Sequence, residues 1–301
     1  MLDQLLESME QETKCGWVIT QQQKAIWNTE LALAKKLIEI CNKHNLKCIA
    51  GFGTLLGAIR HNGFIPWDDD MDFLMPRSDY KKLCGLSKEF CEPFFLQTTE
   101  TENGKWFRGY ARLRYSDSTC ITPLDERNYA CNNGIFIDIF PLDTVPDSKI
   151  QLERFRRKVT TMKSTIMHRV YKSYYEKRGL RSKLLTQYSI IATRKKSVIQ
   201  LSDEFDELCS TYNEISNGGM RILSYSFVKG TRVDFSFQSD DLFPTVTHEF
   251  ERIEIPIPKN WRNNLVKCYG DSFMEFPLVS ERKAQEKNTT NPWIPYSEYM
   301  K

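Results

Sequence analysis

The sequence predicts a mixed α/β fold with an inserted helical unit, and three observations predict it. Short apolar runs bounded by Gly and Pro alternate with stretches of 3.6-residue apolar periodicity. One long segment, 148–216, contains no proline and reads as helix throughout. The balance is that of a globular chain: 301 residues, 41% hydrophobic and 27% charged. No apolar run approaches the length of a membrane span, and the acidic, amphipathic start has no basic-then-apolar secretory pattern. Nine scattered cysteines without a CxxC pair read as reduced core thiols of a cytoplasmic protein.

The elements follow in order. Residues 20–44 form a helix with Ile26, Leu31, Leu33, Leu37 and Ile38 on its apolar side. A short strand at 48–52 runs into a helical turn at 54–60, which Asn62-Gly63 breaks. A strand at 70–75 stops at Pro76, and Ser78 caps a helix to about residue 90. Strands are expected at 94–98, 109–115 and 134–140, the last ended by Pro141, and again at 222–228 and 248–257. Pro258 opens a final helix that Gly270 closes, and the polar tail from Glu281 reads as loosely ordered. The domain organisation read from this is a catalytic core at 1–147, a basic helical insertion at 148–216 and a strand-helix part at 217–301 that completes the core.

Charge is unevenly placed. Residues 151–200 hold 14 Lys and Arg against two Glu, leaving 28 basic and 37 acidic side chains in the other 251 residues. Interleaved with apolar residues at helical spacing, these charges suit docking on an anionic membrane surface or a solvated helical cap. A nucleic-acid binder built on the basic helices is disfavoured by the acidic remainder.

The chemistry concentrates at 51–80, GFGTLLGAIRHNGFIPWDDDMDFLMPRSDY. On a strand, Asp68, Asp70 and Asp72 share one face, with i and i+2 carboxylates about 7 Å apart at Cα. Such a pair converges on one hard cation and repels without it. Asp138 is the lone acid in the apolar run GIFIDIFP, costly to bury unless paired or metal-bound. Gly51, Gly53 and Gly57 allow backbone N–H groups to approach a phosphate at a helix N-terminus. His44 ends a helix, His168 lies in the basic helix, and His248-Glu249 resembles half of a metal motif but lacks a second histidine at helical spacing.

The run GTLLGAIRHNGFIPWDDDMDFLMPRSDYKKL resembles the signature of the LicD/fukutin family. IDIFPLD at 137–143 resembles its second block, and FERIEIPIP with WRNNLVKCYGDSFMEFP a further one. The resemblance covers roughly 20–145 and 245–278 and implies a nucleotidyltransferase-like sheet core. Gly53 and Thr54 stand at the family's turn, where many nucleotidyltransferases have Ser. Asp70 and Asp72 match the metal pair and Asp138 the third acid. The implied reaction is metal-dependent transfer of a phospho-alcohol, most often phosphocholine, from a CDP-linked donor to a hydroxyl of a cell-surface glycan, often assembled on a lipid carrier. Mg²⁺ or Mn²⁺, as one or two ions, would sit on Asp70, Asp72 and Asp138, with Asp138 a ligand or the base. Asp68 is a second candidate base or fixes a metal water. Arg60, His61 and Arg77 are candidate phosphate or carboxylate partners. Trp67 is a candidate nucleobase or ammonium contact, and Trp106, Tyr110, Tyr115 and Tyr129 an aromatic cage or core. The expected location is cytoplasmic, at the inner membrane face. An Asp-x-Asp nucleotide-sugar glycosyltransferase is the other enzyme with this metal pair, but only about 50 residues precede the motif.

Overall fold

The structure is a computed structural model that describes residues 3–125, 130–171, 179–215, 219–223, 237–282 and 288–299. A small hairpin, β1 (Glu12–Lys14) and β2 (Trp17–Ile19), leads into α1 (Gln21–Lys43), whose N-cap Thr20 accepts the Gln23 N–H. Helix α1 buries Leu31, Leu33, Leu37 and Ile40 because they recur at helical spacing on one stripe. Strand β3 (Ile49–Ala50) passes straight into α2 (Phe52–His61), and β4 (Asp72–Pro76) into α3 (Arg77–Gly85). Then come β5 (Phe94–Gln97), β6 (Ala111–Tyr115), β7 (Thr119–Ile121) and β8 (Ile135–Thr144).

The main sheet runs β3-β4-β8-β6-β5, with β9 (Met220–Arg221) on the far end of β8. Only β4 and β8 are parallel neighbours within it; the other pairs are antiparallel. Its α1 side packs Phe73, Leu113, Ile137 and Ile139 into the largest core, together with Phe250, Ile255, Ile257 and Leu265. These last residues come from the hairpin β10 (Thr245–Phe250) and β11 (Ile253–Pro258) and from a helix at Trp261–Tyr269. The opposite side packs Leu74, Phe140 and Leu142 with Phe237 and Leu242. Helices α4 (Lys149–Tyr171), α5 (Leu180–Ala192) and α6 (Val198–Cys209) follow β8. Phe155, Val159, Ile166, Leu201 and Phe205 make a separate core there, joined by Phe107 and Val145.

Several boundaries differ from the sequence reading. Strand β4 begins at Asp72, so Asp68 and Asp70 lie in the preceding turn and share no strand face with Asp72. Pro141 does not stop β8: β6 pairs only as far as Ile139, so the missing N–H falls beyond that ladder. Pro76 rather than Ser78 stands at the N-cap of α3. The strand expected at 248–257 is a hairpin, turned where Glu251 takes φ 54°. The tail is partly ordered, since β12 (Thr289–Asn291) pairs with β7. Residues 224–228 of another expected strand lie outside the described residues. No helix among the described residues is long and apolar enough to cross a membrane.

Candidate active site

Helix α1 holds the acidic turn in place. Trp27 Nε1 donates to the Asp68 carbonyl at 2.9 Å, and Gln23 Nε2 donates to the Pro66 carbonyl at 3.1 Å. At residue 53 a Cβ would stand 2.7 Å from Asp68 Oδ2, so only glycine lets that carboxylate approach the first turn of α2. The partial positive charge of a helix N-terminus favours a carboxylate there. Thr54 is buried and its Oγ1 accepts the Asp72 N–H at 2.8 Å, which ties α2 to the first residue of β4. It braces Asp72 instead of facing a ligand. Gly51 and Gly57 likewise make room for Leu74 and for the Gly63 carbonyl, not for a phosphate.

Sheet register then aligns three charged residues across three strands. Asp72 of β4 faces Asp138 of β8, which faces Arg112 of β6. Arg112 Nε donates to Asp138 Oδ1 at 2.8 Å. Burial, then Asp70, Asp138 and Asp68, push the Asp72 carboxyl well above its usual range, with Arg112 opposing. Asp69 is raised to about 7 by burial and Asp70. Glu30, on the buried stripe of α1, is raised by burial and then by Asp69 and Asp70. A cavity of about 220 Å³ opens among Glu30, Asp69, Asp70 and Asp138.

The remaining sequence candidates sit elsewhere. Arg77 is buried and ion-paired with Asp143 at 2.5 Å and Asp206 at 2.6 Å, joining α3 to β8 and α6. Of the two partner kinds expected for it, Arg77 takes carboxylates, and with both in its fork it is a structural joint. Arg60 spends Nη1 on the Phe273 and Glu275 carbonyls, at 3.0 and 3.1 Å. His61 accepts from Arg60 Nε at 3.0 Å, and burial with the neighbouring Arg60 lowers it to about 4, so it is uncharged at neutral pH. The Trp67 ring lies under the Arg282 guanidinium, 4.7 Å from its centroid, with Trp17 and His61 at its edges. These four side chains form a packing unit around the end of α2. Tyr110 lines the cavity and Trp106 packs edge-on against it at 6.3 Å. Tyr115 packs edge-on against Phe94 instead, and Tyr129 lies outside the described residues.

Sequence reasoning missed Glu30, Asp69 and a buried arginine knot. Arg108, Arg112 and Arg114 all reach Asp125, at 2.8, 3.2 and 3.2 Å. The signal was present in both places: one acid in the apolar stripe Ile26, Glu30, Leu33, Leu37, and arginines at alternate positions of a buried strand, ARLRY.

Residues 45–178 match the family described as LicD/FKTN/FKRP, nucleotidyltransferase domain. That segment carries the LicD-family match. The chain is 26% identical over 250 residues to the lipopolysaccharide cholinephosphotransferase LicD of Haemophilus influenzae, covering 81% of this chain and 88% of that protein. Uncharacterized proteins of Rickettsia prowazekii and Rickettsia typhi are each 47% identical, over 58 and 47 residues. Those two matches span 19% and 16% of this chain, and 22% and 15% of the Rickettsia proteins.

The LicD segment contains the whole acid row. Its donor set is carboxylate oxygen, the kind that hard divalent cations take, and the acids repel one another in the absence of a counter-charge. In kind, therefore, the residues fit a divalent cation. Among the described residues no three acid, His or Cys side chains already converge at ligating distance.

Proposed function

We propose that this protein is a LicD-family phosphotransferase that moves phosphocholine, or a closely related phospho-alcohol, from a CDP-linked donor to a hydroxyl of a cell-surface glycan. The Asp72–Asp138–Arg112 register row, with Asp70 beside it, carries the proposal. The acceptor oxygen forms a new bond to the phosphorus of the head group. The bond from that phosphorus to the bridging oxygen breaks, and CMP leaves with the electron pair. The hydroxyl proton passes to a carboxylate of the same group, Asp138 or Asp68. Asp70, Asp72 and Asp138 would hold Mg²⁺ or Mn²⁺, which neutralises charge on the transferred phosphoryl and on the leaving CMP. Arg112 fixes Asp138 in orientation through its 2.8 Å hydrogen bond. Thr54 fixes the backbone from which Asp72 projects.

Asp72→Asn keeps the side-chain shape and removes the charge. Transfer from CDP-choline should fall at least about a hundredfold, the scale of one lost electrostatic contact to the transition state. EDTA should abolish wild-type transfer and Mg²⁺ restore it. Full activity of the variant, or indifference to EDTA, sinks the mechanism.

A glycan acceptor on a lipid carrier would place the enzyme at a membrane surface, and α5 supports that docking. Leu180, Leu184, Leu185, Tyr188 and Ile191 are all exposed on it. Arg181, Arg194 and Lys195 stand exposed beside them. Apolar anchors flanked by cations suit an anionic bilayer, each cation contributing about 1 kcal/mol near such a surface. Co-sedimentation with anionic vesicles should be strong at low salt and lost at high salt; equal binding to neutral vesicles rejects docking of this kind.

A further inference from the structure

The acid row does not account for Glu30. This side chain comes from α1, outside the motif segment, and is 2% exposed. Its Oε2 has no hydrogen-bond partner, yet Glu30 lines the cavity described above. A buried carboxylate oxygen without a donor is costly unless an ion faces it. Arg112, the one basic side chain among the described lining residues, is committed to Asp138 and Asp125. The described lining thus holds no uncommitted basic side chain for Glu30, and when its carboxyl ionises the counter-charge must come from what enters the cavity.

The rest of the wall says what kind of cation. Ile26, Ile135, Phe136 and Tyr110 line the same cavity as Glu30 and Asp69. Asp70 and Asp138 line it as well, and a metal ion held by them would leave these apolar walls unused. The volume, about 220 Å³, is many times the ~10–15 Å³ that one water needs, so a small organic group has room. A quaternary ammonium has no N–H to donate. It is stabilised by diffuse negative charge and by apolar or aromatic contact, which is what this cavity offers.

We propose that this cavity receives the quaternary-ammonium head of the transferred group, and that Glu30 is the specificity-determining carboxylate that selects a cationic head over a neutral polyol. The inference rests on the transfer reading above for the identity of the donor. A neutral glycerol or ribitol head would leave the Glu30 carboxylate buried and unpaired, so the site discriminates by rejection as well as by attraction.

Calorimetric titration of the full chain tests it with three probes: CDP, CDP-choline, and the CDP ester of 3,3-dimethylbutanol, in which carbon replaces nitrogen. Wild type should bind CDP-choline about tenfold tighter than the carbon analogue. Glu30→Gln should erase that difference while leaving CDP affinity unchanged, with a melting curve confirming that the variant is folded. Equal wild-type affinity for CDP-choline and its carbon analogue overturns the pocket and leaves the donor reading standing. So does a Glu30→Gln variant that weakens CDP equally or changes nothing. If wild type binds no cytidine nucleotide, the donor reading falls, and tetramethylammonium chloride alone decides the pocket. Binding lost in Glu30→Gln upholds it, and no binding ends it.

Discussion

Around Asp125 three arginines converge, Thr122 adds a hydrogen bond at 2.8 Å, and the carboxylate is held well below its usual range despite burial. One strand away, Asp72 is also buried, but its nearest charges are Asp70, Asp138 and Asp68, and it is pushed the opposite way. Both regions remove carboxyl groups from water; around Asp125 the chain supplies three arginines, whereas the acidic row has Arg112 alone against several acids. Burial of charge is therefore not by itself a mark of function here. A self-neutralised cluster such as the arginine knot or the Arg77–Asp143–Asp206 joint holds the fold together. A cluster left unneutralised is stable only with something cationic added, and that separates the site from its scaffold.

Removing the centre of the neutralised cluster tests the contrast most severely. Asp125→Asn strands Arg108, Arg112 and Arg114 and should cost about 3–5 kcal/mol in urea denaturation. A loss below about 1 kcal/mol would mean that the knot is not structural.

In the acidic region the sign reverses. The raised carboxyls of Glu30, Asp69 and Asp72 bind protons more tightly folded than unfolded. Stability of the metal-free protein should therefore fall as pH rises from about 4, the unfolded carboxylate value, through about 7, where Asp69 ionises. Asp69→Asn should flatten this slope by an amount on the order of 1 kcal/mol, and raise the melting temperature at pH 8 while changing little at pH 4. A variant that is less stable at pH 8 would show that the acids are compensated after all.

The smallest effect concerns His61. Because it is uncharged above a pKa of about 4, His61→Gln should leave the pH–activity profile between pH 6 and 8 unshifted. Loss of an acid limb in that interval would return His61 to the list of functional groups.

Much of the sheet and the acid motif was legible, because both are written in local pattern. The run GIFIDIFP carries its own alternation, and Asp138 stands out in it as the one charge. Beyond nearest neighbours the sequence says less. The turn at 66–71 is shaped by Gln23 and Trp27, more than 40 positions away, and that displaces Asp68 and Asp70 from the strand their spacing suggested. Arg77 reads as a partner of phosphate or of carboxylate until Asp143 and, from α6, Asp206 are seen to claim it. Glu30 was hidden for the converse reason: one polar residue in an amphipathic helix attracts no notice until the helix is rotated against the sheet.

Strand β12 gives the cavity part of its wall through Thr290, whose hydroxyl also donates to Cys120 Sγ at 3.6 Å across 170 positions of chain. Strand β7 has no other ladder partner among the described residues. During synthesis at ~5–20 residues per second, β7 thus waits on the order of ten seconds for its neighbour to emerge from the ribosome. For that interval the nascent protein shows an open strand edge, a template for pairing with another chain. A proteolytic cut ahead of Thr289 would recreate the same exposure in the finished molecule, with the main sheet intact and the acids facing bulk water.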